Sequence, residues 1–129
     1  MRRVVQIVGW LNAAFGLLVG LLAVASPTAA AGAFKVGVDS PAMLALIRMF
    51  GGLLASSGIV SAVIAKDPDR YPVLVRAYAA CLVLNVATDA LVIASGEMRF
   101  DQVASGMLLE LLLGVLLFAY RPAKAGGKA

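Results

Sequence analysis

The chain has 129 residues, is 62% hydrophobic and only 14% charged, and carries a net charge of +4 at pH 7. Soluble domains average about 25% charged residues, so this deficit, with a mean hydropathy of +0.96, excludes an ordinary soluble fold and puts the chain among membrane proteins. The sole cysteine, Cys81, and the absence of histidine exclude an intrachain disulfide and a His or multi-Cys metal centre, and no basic stripe interleaved with aromatics points to nucleic acid.

A bilayer core takes about 20 apolar residues per helix, and four such runs follow in chain order. The first, Val4 to Ala25, ends at Ser26-Pro27. The second, Ala42 to Ala65, is opened by Asp39-Ser40-Pro41, where Ser40 suits a cap and Pro41 the first helical position. Lys66-Asp67-Pro68-Asp69 ends it, and the two carboxylates there read as a solvated turn rather than a cation site. The third, Val73 to Ser95, lies between Tyr71-Pro72 and Gly96; the fourth, Val103 to Tyr120, has Asp101 as its expected cap and Pro122 beyond its end. The expected architecture is all-α: a polytopic membrane protein with one four-transmembrane-helix bundle over residues 1–122 and a short basic tail over 123–129. The loop Ser26 to Ser40 reads as slack, with a mobile lid as the other reading. The first segment has a rival too, since Arg2-Arg3, an apolar run and Thr28-Ala29-Ala30-Ala31 fit a signal peptide; its length favours a retained helix.

Basic residues set the expected orientation. Arg2, Arg3, Lys66, Arg70, Arg76, Arg121, Lys124 and Lys128 flank one side of the alternating spans, and Lys35 and Arg99 flank the other. Positive residues concentrate in the cytoplasm, so both termini are expected there, in a bacterial inner membrane.

Arg48, Asp89 and Glu110 interrupt the apolar runs. A charge at the centre of a membrane helix costs about 2.5–3.5 kcal/mol on insertion scales and commonly marks a site or an internal pair. Counting about 1.5 Å of rise per residue puts all three in the outer half of the bilayer. Small or polar residues recur at helical spacing beside them: Gly9, Asn12, Gly16 and Gly20 in the first run; Arg48, Gly52, Ala55 and Ile59 in the second, with Gly51, Ser56 and Gly58 nearby; Tyr78, Cys81, Asn85 and Asp89 in the third; Gly106, Glu110 and Gly114 in the fourth. Each set shares a helix face, and small residues let membrane helices approach closely. The expected result is a compact bundle with Asn12, Arg48, Asn85, Asp89 and Glu110 turned inward, Tyr78 beside them, and Cys81 as a small buried hydrophobe. One carboxyl pairs with Arg48; the other holds a proton or awaits a cation.

The same residues serve two ends, an internal lock that sets helix register or a site for a ligand, proton or ion. Enzyme motifs are missing: no nucleophile elbow, phosphate loop, CxxC or HExxH occurs. The leading expectation is a non-enzymatic protein that binds a lipid-like or small-molecule ligand or accompanies a partner membrane protein. A proton- or cation-coupled small transporter, working as a homo-oligomer, is the alternative, and a lipid-modifying enzyme using Asp89 and Glu110 as acid and base the third. No cofactor is expected.

The stretch Arg48-Met49-Phe50-Gly51-Gly52-Leu53-Leu54, the following Ile64-Ala65-Lys66-Asp67-Pro68-Asp69-Arg70, the residues Asn12, Phe15 and Gly16, and Leu109-Glu110-Leu111 together resemble small four-helix bacterial inner-membrane proteins of the DoxX-like kind. The resemblance implies a four-helix inner-membrane bundle and no particular activity. The lone Cys81 provides no dithiol for redox exchange.

Overall fold

Proline and glycine punctuate the chain into five helices in the computed structural model, which describes residues 1–121. They are α1 (Arg2–Ala25), α2 (Pro27–Ala33), α3 (Pro41–Lys66), α4 (Pro72–Ala94) and α5 (Phe100–Ala119). The expected tail at 123–129, with Lys124 and Lys128, lies outside the described residues. Proline stands at the first turn of α2, α3 and α4, where its missing N–H leaves no helical bond unmade. Ser40 caps α3 by accepting from the Met43 amide at 3.3 Å. Gly96, at φ +77°, turns the chain out of α4, and the Glu97 amide closes the helix end by donating to the Val92 carbonyl at 3.1 Å. Four of the helices, all but α2, are long and apolar enough to cross a membrane, so the all-α, four-helix architecture is the one observed.

Two local expectations change. The loop after Ser26 is not slack: its alanine-rich start forms α2, with Pro27, Ala30 and Ala31 buried, as the high helix propensity of alanine favours. Helix α5 begins at Phe100 with Arg99, not Asp101, at its cap; Gln102 reaches back to accept from the Arg99 amide at 2.7 Å. Asp101 instead sits in the first turn, where its charge complements the helix dipole.

The helices associate as two pairs. Helices α1 and α3 pack backbone to backbone along Gly9, Gly16 and Gly20 on one side and Gly51, Gly58, Ser61 and Ala65 on the other. A Cβ built on Gly20 would lie 2.6 Å from the Gly51 carbonyl oxygen, and one on Gly58 would lie 2.9 Å from the Leu17 amide nitrogen. The glycine face expected of α1 is the one used. On α3 the contact takes Ala55 from the Arg48, Gly52, Ala55, Ile59 stripe but falls otherwise on Gly51, Gly58, Ser61 and Ala65: a Cβ on Gly52 would meet nothing within 4 Å.

The second pair, α4 and α5, joins the first at the end of the bundle where Arg2 and Tyr120 lie, here the terminal end. Val5, Val8, Ile64, Val75, Tyr78, Leu82, Leu113, Leu117 and Tyr120 form the core there. The α3–α4 turn closes that end. Arg2 pairs with Asp67 at 3.3 Å and Asp69 at 3.4 Å, Gln6 donates to the Lys66 carbonyl at 3.4 Å, and the Tyr120 hydroxyl donates to Asp69 at 2.5 Å. The Asp67–Asp69 turn is therefore tied to both α1 and the end of α5 rather than merely solvated. At the far end, Gln102 donates to the Lys35 carbonyl at 2.8 Å, and Asp101 pairs with Arg99 at 2.9 Å and Lys35 at 3.8 Å.

Candidate functional site

Polar groups occupy two levels of the bundle. The deeper level centres on Tyr78, buried on α4. Its hydroxyl accepts from the Asn12 amide of α1 at 2.9 Å, lies 2.8 Å from the Ser57 hydroxyl of α3 and donates to the Ser57 carbonyl at 3.1 Å. Ser61 donates to the Gly9 carbonyl at 2.9 Å. Among the described residues no buried side-chain nitrogen or oxygen is left unpaired, those of this knot included. A saturated buried network specifies one packing. Tyr78 and Asn12 thus join helices. Ser57 and Ser61 were not singled out from sequence, because a serine within an apolar run signals nothing by itself.

The second level lies nearer the far end and is built differently. Asn85 of α4 donates to Glu110 of α5 at 3.3 Å, and Asp89, one turn further along α4, lies within electrostatic range of Glu110. Asn85 is exposed, and Asp89 and Glu110 are half-buried. The reason is the packing: α4 has no buried residue beyond Leu82, and α5 has none before Leu113. The core that closes the terminal end stops where these three side chains begin.

Arg48 does not join them. Ser57 marks the side of α3 that meets α4, through its bond to Tyr78. Arg48 precedes it by nine residues, about two and a half helical turns, and so leaves α3 on the opposite side. It is exposed, and among the described residues no ion pair includes Arg48, Asp89 or Glu110. The expected pairing of Arg48 with a carboxyl within the chain is corrected: depth along a helix is readable from the residue count, but Arg48 is rotated away from its expected partners. Cys81 is exposed as well, not buried, because the buried position of that turn falls to Leu82.

An open apolar groove of about 500 Å³ adjoins Glu110 between α4 and α5, lined among others by Val83, Val86, Gly114, Val115 and Phe118; Glu110 is its one polar lining residue. A carboxylate pair beside an apolar channel accommodates a cationic group on an apolar stem. Asp89, Glu110 and Asn85 provide too few ligands for a metal cage, and no cluster of three acidic, histidine or cysteine residues suited to a metal occurs among the described residues.

This arrangement defines a four-span helical bundle of the membrane class, closed by core packing at one end and laterally open around carboxyl groups at the other. No family model matches the chain, and no curated protein or solved structure is significantly similar to it. The DoxX-like resemblance rests on its quoted motifs alone.

Proposed function

We propose that this chain is a non-enzymatic inner-membrane protein that receives a positively charged group, borne on an apolar stem, at Asn85, Asp89 and Glu110. One observation carries the reading: two carboxyl groups within apolar spans stand half-exposed without an ion pair among the described residues, while Arg48, the arginine expected to pair with them, faces elsewhere. A carboxylate in a low-dielectric setting demands either a proton or a cation. The far end of the bundle is the outer end in this reading, supported by the excess of Lys and Arg around the terminal end, and both termini are cytoplasmic. The ligand enters sideways from the bilayer, its head at the carboxyls and its chain along the α4–α5 groove.

The test uses the full chain in lipid vesicles at less than one copy per vesicle, with dodecyltrimethylammonium as probe and dodecanol as its uncharged counterpart. Binding of the cation at least about tenfold tighter than the alcohol, equivalent to roughly 1.4 kcal/mol, and abolished in Asp89→Asn/Glu110→Gln, is the expected result. Equal affinity for the two probes would remove the reading.

A further inference from the structure

We infer that chains of this protein associate head to tail in the membrane, Arg48 of one copy entering the carboxyl site of the next. The inference rests on the cation-accepting reading of that site and names its occupant as a second copy.

Three observations converge. First, the charges are complementary and each is unanswered within the chain: Arg48 has no acidic partner, and Asp89 and Glu110 have no basic one, among the described residues. Second, the depths agree. Arg48 lies seven residues from the start of α3, Asp89 five from the end of α4 and Glu110 ten from the start of α5. At about 1.5 Å per residue these are roughly 10, 8 and 15 Å from the far end. Copies sharing one membrane orientation are related by rotation about the membrane normal, which changes no residue's depth. An arginine can therefore meet a neighbour's carboxyl only where their levels lie within its reach: Arg48 and Asp89 stand at nearly the same level, and Glu110 lies nearly a turn deeper. Third, the side of α3 around Arg48 permits close approach. Gly52 has open space where its side chain would stand, Ala45 is exposed, and the exposed Ser56 hydroxyl is already satisfied by the Gly52 carbonyl at 2.9 Å. A helix can dock on such a strip without leaving a new polar group unpaired.

The symmetry follows. Arg48 leaves α3 on the side away from α4, whereas the carboxyls sit on α4 and α5, so the two halves of the contact lie on different faces. A contact between unlike faces is heterologous, and rotation about the membrane normal closes it into a ring. The arginine stem supplies the apolar part and its fork donates to Glu110 or Asp89, bidentate where geometry allows.

Subunit counting by single-molecule photobleaching, on full chains in lipid vesicles at several copies each, tests this. Wild type is expected as an oligomer, and Arg48→Met and Asp89→Asn/Glu110→Gln each as monomers when alone. Mixed in equal amounts, the two variants are expected to form dimers and nothing larger, because only one productive contact can form between them. Arg48→Lys retains assembly and serves as the folded control, with helix content measured for every variant. Monomeric wild type, or variants that assemble like wild type, would overturn the inference. If wild type is monomeric but the carboxyl-dependent preference for dodecyltrimethylammonium persists, the cation site stands and its occupant is not a second copy. If both assembly and that preference are lacking, the site reading fails too.

Discussion

Asn85 donates to Glu110 across 3.3 Å, the one side-chain bond that joins α4 to α5 at the level where both helices have ceased to bury residues. One turn away, Asp89 adds a second carboxyl to a place the core does not reach. The contrast with the Tyr78 knot, where the buried polar groups are all paired, separates the polar residues that hold this bundle together from those available to something else.

The knot makes a stability prediction. Tyr78→Phe removes the acceptor of the Asn12 amide and of the Ser57 hydroxyl, leaving a buried donor unpaired. A loss of about 1–3 kcal/mol is expected, read from denaturant unfolding in detergent. Ser56→Ala and Thr88→Ala, whose hydroxyls bond carbonyls of their own helices, are expected to change stability by less than about 0.5 kcal/mol.

The α1–α3 contact predicts opposite signs for two glycines. Gly20→Ala would place a Cβ 2.5 Å from the Ala55 amide nitrogen, forcing the helices apart at a cost of about 1–3 kcal/mol. Gly52→Ala meets open space and removes only helix-disfavouring backbone freedom, so a gain of about 0.5–1 kcal/mol is expected. The same unfolding assay reads both.

These two glycines also mark how far the sequence was legible. The four spans could be read because their apolar runs are hydrocarbon length and are bounded by Pro41, Pro72, Gly96 and similar signals. The packing face of α1 was readable since Gly9, Asn12, Gly16 and Gly20 form a single stripe. In α3 two stripes of small residues overlap, one through Gly52 and one through Gly51, Gly58 and Ser61, and only the partner helix selects between them. The same ambiguity of rotation turned Arg48 inward in the sequence reading and outward in the fold. The clamp at the terminal end was hidden for another reason: Arg2 and Tyr120 lie far along the chain from Asp67 and Asp69, and a short acidic turn looks the same whether bonded or solvated.

That clamp titrates in a defined direction. Burial, then the hydrogen bond to Asp69, pushes the Tyr120 hydroxyl up to about 12 from an ordinary value of 10.0. A raised value means the folded state favours the neutral phenol. The stabilisation is therefore fully present below pH 10 and is lost as the pH rises through about 12. A tyrosinate absorbance titration should lose a transition near pH 12 in Tyr120→Phe, and the alkaline loss of stability over that window should be reduced in the same variant.

Lys35 holds the left-handed conformation, φ 56°, where α2 ends. A side chain there costs about 1–2 kcal/mol, and the exposed pair with Asp101 at 3.8 Å returns at most about 1 kcal/mol. Lys35→Gly is expected to stabilise the protein by up to about 1 kcal/mol, and Lys35→Val to destabilise it, in thermal unfolding.

The central claim is that Asp89 and Glu110 await a positive charge, and infrared difference spectroscopy on vesicle-embedded protein addresses it at the carboxyl groups themselves. Adding dodecyltrimethylammonium should perturb carboxyl or carboxylate bands that shift on 13C labelling of Asp and Glu; dodecanol should leave them unchanged, and Asp89→Asn/Glu110→Gln should remove the signal. A spectrum identical with and without the cation, or one that survives in the double variant, would contradict the account.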